Sequence, residues 1–114
     1  MTKKVELDIG REIEMLGGPK PTTTVDGGGP RAMTVRDLIL QRIPIAASGN
    51  TDQATRLWNI GLEMDKAGDK FILTELDFEL LKRSVITADM QVWAQVNLDQ
   101  VFNDAKQVTK NTKG

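Results

Sequence analysis

The sequence predicts a mainly α-helical protein, a small bundle of about four helices behind an irregular or short-β N-terminal arm. After residue 33, apolar residues recur three and four positions apart behind residues that commonly cap helices. Residues 17–33 are instead rich in Gly, Pro and Thr, which favour turns and extended backbone. The predicted organisation is an arm over residues 1–33, a helical domain over residues 34–106 and a polar C-terminal tail over residues 107–114.

The arm begins with a pattern that more than one structure would explain. Apolar residues alternate between Val5 and Ile9, as in a short strand, and then follow at helical spacing to Leu16. A strand, a helical turn or both are compatible with this stretch. Residues 17–33 are predicted to form a loop or an irregular hairpin that turns near Asp26-Gly27.

Capping residues place the first two helices. Thr34 is followed three residues later by Asp37, in the manner of a capping box, and the first helix is expected to end before Pro44. Asn50 or Thr51 is expected to cap the second helix.

Two further threonines, Thr74 and Thr87, are expected to start the third and fourth helices, and residues 71–73 are interpreted as a short apolar connector. The predicted helices span residues 34–42, 51–67, 75–86 and 88–106. Their apolar stripes predict a core of eight residues: Leu38, Leu57, Ile60, Met64, Leu80, Leu81, Val85 and Trp93.

The composition excludes the commonest catalytic groups. The 114-residue chain has no His, Cys or Tyr, which rules out a His-activated serine, a thiolate nucleophile and a thiolate zinc site. Its carboxylates fall mostly at helix starts or on polar faces, where capping and solvation explain them. We therefore expect no enzyme activity, no catalytic residue, no cofactor and no bound metal.

One acidic stretch matches a calcium-binding EF-hand loop in part. Asp65 and Asp69 fall at loop positions one and five and Ile72 at position eight. Position six is Lys70 instead of Gly, and position twelve is Leu76 instead of the Glu that binds calcium through both oxygens. We interpret the stretch as a helix, a connector and a helix, without calcium.

Charge and hydropathy argue against nucleic acid and membrane partners. The 15 Lys and Arg residues balance 16 Asp and Glu residues, so no overall field attracts phosphate. Lys106, Lys110 and Lys113 would share a face if the last helix continued, but a solvated C-terminal face is the preferred interpretation. The triple glycine at residues 27–29 lacks the Gly-Lys-Ser/Thr of a phosphate-binding loop. No apolar run approaches the roughly 18 residues of a membrane helix.

Four residues are the candidates for binding another protein: Val25, Met33, Trp58 and Trp93. The first two lie in the arm, which is expected to extend from the bundle and be ordered by a neighbouring subunit, since its composition opposes packing on its own domain. Trp residues fill small cores and also dominate interface hot spots. Trp93 is favoured as core, whereas Trp58 lies about 100° off the apolar stripe of its helix, and both roles stay open for it.

Three segments carry a resemblance to a known group of proteins. They are Thr34-Val-Arg-Asp-Leu-Ile, Ala54-Thr-Arg-Leu-Trp-Asn-Ile-Gly-Leu-Glu-Met and Leu73-Thr-Glu-Leu-Asp-Phe-Glu-Leu-Leu-Lys. Together they resemble small uncharacterised proteins of tailed phages and prophages, in which a Gly- and Asp-containing turn leads into a Thr-started helix, a middle helix and a Glu-rich third helix. The Pro-Lys-Pro-Thr-Thr-Thr insertion and the extended fourth helix depart from that pattern.

The resemblance supplies no catalytic residue and implies a phage-type protein that acts by contact. The leading hypothesis is a non-enzymatic structural or assembly protein whose arm is ordered by neighbouring subunits. Its partners would be other protein subunits, with a second copy of this chain among the options, in the virion or the bacterial host cytoplasm. The alternative is a small inhibitor or regulator of a host protein, of the anti-defence type.

Overall fold

The structure is a computed structural model that describes residues 3–17, 20–24, 28–47 and 49–108. Within these ranges the chain forms four α-helices, one short 3-10 turn and five strands in two sheets. In chain order the elements are β1 (Lys4–Asp8), β2 (Thr22–Thr24), β3 (Pro30–Ala32), α1 (Val35–Arg42), the 3-10 turn (Ile43–Ile45), α2 (Thr51–Lys66), β4 (Lys70–Thr74), α3 (Glu75–Val85), α4 (Val92–Asn103) and β5 (Lys106–Val108).

The prediction of a mainly α-helical bundle is wrong, because a three-stranded antiparallel sheet in the order β4-β1-β5 makes the fold α+β. The register places Val5 opposite both Leu73 and Gln107. The strand that the sequence offered as one option for residues 5–9 is therefore real, and the connector at residues 71–73 is a strand as well. Each strand is short and its partner lies far along the chain, so local periodicity does not reveal the pairing.

One face of this sheet carries the helices. Val5, Leu7, Phe71 and Leu73 alternate with exposed or half-buried neighbours and are buried on that face. Helices α3 and α4 pack there, and the rings of Phe78 and Phe102 meet edge to face with centroids 5.5 Å apart. The other face of the sheet is polar apart from Ile72 and Val108.

Seven of the eight predicted core residues are buried, which confirms the apolar periods of the first three helices. Trp93 is half-buried and packs against the core. The buried seven are Leu38, Leu57, Ile60, Met64, Leu80, Leu81 and Val85. None of the helices in the described ranges has the length and hydrophobicity to span a bilayer.

The caps expected for the first three helices are present. Asp37 Oδ2 accepts hydrogen bonds from the backbone N–H of Thr34 at 2.8 Å and from its hydroxyl at 3.1 Å. The Asn50 side chain accepts the N–H of Gln53 at 2.9 Å, and the Thr74 hydroxyl accepts the N–H of Asp77 at 3.2 Å. These side chains satisfy backbone donors that the first helical turn leaves free.

The fourth helix is shorter than predicted at both ends. The Thr87 hydroxyl is engaged by Asp89 at 2.5 Å and by the Arg42 guanidinium at 3.0 Å, so it does not cap a helix, and α4 begins only at Val92. At the other end, Lys106–Val108 leaves the helix and pairs with β1. Three consecutive polar or β-branched residues carry too little pattern to indicate a strand.

The described residues between positions 9 and 34 are here called the N-terminal connection, and Ile9, Ile13 and Met33 among them pack in the core with the helices. Arg11 C=O accepts the N–H of Val35 at 2.8 Å, and Met33 C=O accepts the N–H of Ile13 at 3.0 Å. The Met33 N–H donates in turn to Pro21 C=O at 3.0 Å. The predicted boundary between an arm and a helical domain at residue 33 falls inside this network.

The described part of the Gly- and Pro-rich segment is an antiparallel hairpin of β2 and β3, in which Thr23 lies opposite Arg31. Arg31 holds the hairpin to α1 through two hydrogen bonds to the Asp37 carboxylate, both 2.8 Å long. Asp37 thus caps α1 and anchors the hairpin with the same side chain.

Candidate protein-binding surfaces

Helix α2 carries a second apolar face beside the one that it buries. Leu57 and Met64 point into the core, whereas Trp58 and Leu62 are 57% and 49% exposed. Residues four apart in a helix lie on the same face. Helix α2 therefore presents Trp58 and Leu62 side by side to solvent.

These two side chains form one wall of an apolar groove, and α1 with the 3-10 turn forms the other. Gly61 permits this close approach, because a Cβ added there would lie 3.2 Å from Ile43 Cδ1. The groove encloses about 170 Å³, similar to cavities that hold a benzene ring. We call it the Trp58 groove, and it is lined by Leu40, Ile43, Pro44, Trp58, Gly61, Leu62 and Asp65.

Among the described residues, Asp65 is the only charged one that lines the Trp58 groove. Its carboxylate is exposed and forms no ion pair with a described residue. The indole N–H of Trp58 likewise donates to no described group. The groove thus combines an aromatic wall, an aliphatic floor and one negative charge at its rim.

A second groove lies beside α4. It encloses about 460 Å³ between α4 and residues 14–16, and Trp93 forms part of its wall. The Trp93 indole N–H donates to Gln91 Oε1 at 2.6 Å, so this tryptophan has both a packed ring and a satisfied polar atom. Val92 and Val96 on the same helix are exposed.

A buried amide attaches residues 14–16 to α4. Asn97 Oδ1 accepts the backbone N–H of Glu14 at 2.8 Å, and Asn97 Nδ2 donates to the Glu14 C=O at 2.9 Å and to the Trp93 C=O at 2.6 Å. Asn97 is 4% exposed. The Asn97 amide thus satisfies the backbone N–H and C=O of Glu14, which have no partner within a helix or sheet.

A third groove of about 430 Å³ lies between α2 and β4, and Lys4 of β1 also lines it. Arg56, Asn59 and Glu63 line it from the helix, and Ile72 lines it from the strand. Arg56 forms an ion pair with Asp77 at 2.5 Å at one end.

The Asp37 carboxyl, whose pKa is shifted, has a structural role. Burial opposes ionisation of the Asp37 carboxyl and is the largest single influence on its pKa. Hydrogen bonds from Arg31 and Thr34 together outweigh burial and lower the pKa below the ordinary value.

No group of three or more acidic residues in the described ranges converges as a metal site would require. The EF-hand-like stretch includes β4, in which Lys70 pairs with Asp8 at 3.5 Å, so its backbone is extended where a calcium loop would turn.

Of the four residues expected to bind a partner, the three that the structure describes do not form one site. Val25 lies outside the described residues, and Met33 is buried in the domain's own core. Trp58 and Trp93 line grooves that share no residue. Sequence reasoning missed Leu62, although its position four residues after Trp58 is a signal that would have identified it.

Comparison of the chain with protein-family models, curated proteins and solved structures finds no match in any of the three. The surfaces of the chain itself are therefore the structural basis for a function.

Proposed function

We propose that this chain is a non-enzymatic, phage-type structural or assembly protein that binds another protein subunit through the Trp58 groove. The observation that carries the proposal is the exposure of Trp58 beside Leu62. A large aromatic side chain left in water loses the free energy that its burial would contribute, and Trp is the residue most enriched at binding hot spots. The phage origin rests on the sequence resemblance alone.

The groove specifies the chemistry of its occupant. Its volume of about 170 Å³ suits one large apolar side chain of the partner. The Asp65 carboxylate at the rim, which pairs with no described residue, favours a neighbouring Lys or Arg on the partner. We therefore expect a subunit that inserts an exposed Phe, Leu or Met flanked by a basic residue.

The test is co-expression of the tagged chain with the products of its neighbouring genes, followed by purification and measurement of affinity. Trp58→Ala and Leu62→Ala should each weaken the complex, with a loss of about tenfold or more expected for Trp58, since hot-spot truncations cost about 2 kcal/mol or more. Val92→Ala is the matched control, because it removes an exposed apolar side chain from the groove beside α4. It should leave the affinity unchanged.

A fluorescence measurement reports on the groove directly. In a Trp93→Phe background Trp58 is the only tryptophan, and its emission should shift to shorter wavelength when the partner covers it. Equal binding by Trp58→Ala and the parent chain would refute the proposal. Binding to a host protein through the same groove, with no virion protein bound, would replace assembly by host inhibition.

A further inference from the structure

The outer edge of β4 is an unpaired strand edge. Within the described residues β4 pairs with β1 alone, since the sheet order is β4-β1-β5. The edge contains neither a proline nor a β-bulge, two of the features with which proteins commonly protect exposed edges. Its one lysine, Lys70, is paired with Asp8.

The direction of the backbone groups follows from two hydrogen bonds that continue the β1–β4 register beyond its ends. Glu75 N–H donates to Lys3 C=O at 3.0 Å, and Ile9 N–H donates to Asp69 C=O at 2.9 Å. Opposed residues in an antiparallel pair alternate between those that exchange hydrogen bonds and those that do not. The even-numbered residues 70, 72 and 74 therefore direct their N–H and C=O groups to the outer edge.

This edge is complementary to a second copy of itself. Antiparallel pairing of two β4 strands about a two-fold axis at Ile72 places Ile72 opposite Ile72 of the second copy and Lys70 opposite Thr74. Like charges do not face each other in this register. Ile72 is 49% exposed in the single chain, and the pairing brings the two isoleucines together on the outer face of the joined sheet.

Helix α2 has a matching charge pattern. Arg56 and Glu63 lie two helical turns apart on the side of α2 that lines the groove beside β4. A two-fold axis that runs the two α2 helices antiparallel brings Arg56 of each copy toward Glu63 of the other. Glu63 forms no ion pair with a described residue.

We infer that this chain forms a two-fold symmetric homodimer through its β4 edges, with the two copies joined into one six-stranded sheet and their α2 helices adjacent. The occupant of the groove between α2 and β4 is thus a second copy of this chain. This inference goes beyond the Trp58 groove and does not depend on it.

Proline substitution tests the edge. The parent chain should sediment at twice its 12.6 kDa mass at high concentration and dissociate on dilution. Ile72→Pro removes an N–H that points to the outer edge and leaves the hydrogen bonds to β1 in place. Because each copy carries the substitution, the dimer loses two hydrogen bonds. The dissociation constant should rise by about tenfold or more.

Gln107→Pro is the matched control on the other edge of the sheet. The β1–β5 register, in which Lys4 lies opposite Val108 and Glu6 opposite Lys106, turns the Gln107 N–H outward as well. This variant should dimerise like the parent chain. A parent chain that stays monomeric at every concentration would overturn the inference, and so would a dimer that Gln107→Pro dissociates and Ile72→Pro does not.

A charge-exchange experiment tests the α2 contact and does not require Ile72→Pro to fold. In Glu63→Arg homodimers Arg would face Arg, and in Arg56→Glu homodimers Glu would face Glu, so each variant should dimerise more weakly than the parent chain. An equimolar mixture of the two restores both opposite-charge contacts and should form a heterodimer, which native mass spectrometry with one isotope-labelled chain detects. A mixture with no preference for the heterodimer would contradict the arrangement.

Discussion

The three-stranded sheet and the N-terminal connection are neighbours in the fold, but they are held in place differently. The sheet buries a continuous apolar face through Val5, Leu7, Phe71 and Leu73. The connection buries a few apolar side chains, and its path is otherwise set by directed hydrogen bonds to Asn97 and Asp37. Apolar burial tolerates small displacements, whereas a hydrogen bond fixes position and orientation, so the two regions should respond differently to substitution and pH.

The largest effect is expected at Leu7, which is fully buried at the centre of the sheet. Leu7→Ala should lower the free energy of unfolding by about 2 to 5 kcal/mol, because it removes buried methyl groups and leaves a cavity. Urea denaturation followed by circular dichroism measures the change. Glu6→Ala, one residue away on the polar face, should change the value by less than about 0.5 kcal/mol. Equal losses for the two variants would contradict apolar burial as the force that holds the sheet.

A smaller effect is expected at Asn97. Asn97→Ala leaves Glu14 N–H and C=O without their partners and should lower the free energy of unfolding by about 1 to 3 kcal/mol. Amide hydrogen exchange of residues 13–16 should rise more than that of β1. Asn103→Ala is the control, since Asn103 lies on the same helix and its side chain, among the described residues, bonds only to the exposed Asp99. Unchanged exchange at Glu14 would show that the connection does not need this anchor.

The smallest effect is expected at Asp37, and it should depend on pH. The folded-state pKa of Asp37 lies below its unfolded value, so its contribution is complete above the unfolded pKa, about 3.9, and is lost as pH falls through the folded pKa. Asp37→Asn should cost about 1 kcal/mol at neutral pH, the typical value of a cap. The difference from the parent chain should persist to about pH 5 and shrink toward zero below about pH 4.

Denaturation series at several pH values test this behaviour. Asp99→Asn, which alters an exposed carboxylate of α4, is the matched control. If the cost of Asp37→Asn is the same at pH 3 as at pH 7, ionised Asp37 does not anchor the hairpin and α1.

The candidate surfaces were only partly predictable. The sequence identified Trp58 as a candidate for either the core or an interface, because helix geometry alone places it about 100° from the apolar stripe that contains Leu57. Its exposure depends on Gly61 and Ile43, which bring the 3-10 turn against α2 and leave Trp58 beside this contact. The β4 edge was not predicted at all, since the sequence shows no edge until β1 is known to occupy the other side.

Local chemistry in the sequence determined α1, α2 and α3, their caps and the seven core residues that their apolar stripes predict. A cap joins residues three apart and an apolar stripe repeats every turn, so both are complete within one segment. Tertiary structure alone decided that β1, β4 and β5 form a sheet and that Met33 is buried. It also decided that the Thr87 hydroxyl accepts a hydrogen bond from Arg42 instead of capping a helix. These outcomes depend on contacts between residues that are distant in the chain. Such contacts produce no periodic pattern within a single segment, so the sequence alone does not indicate them.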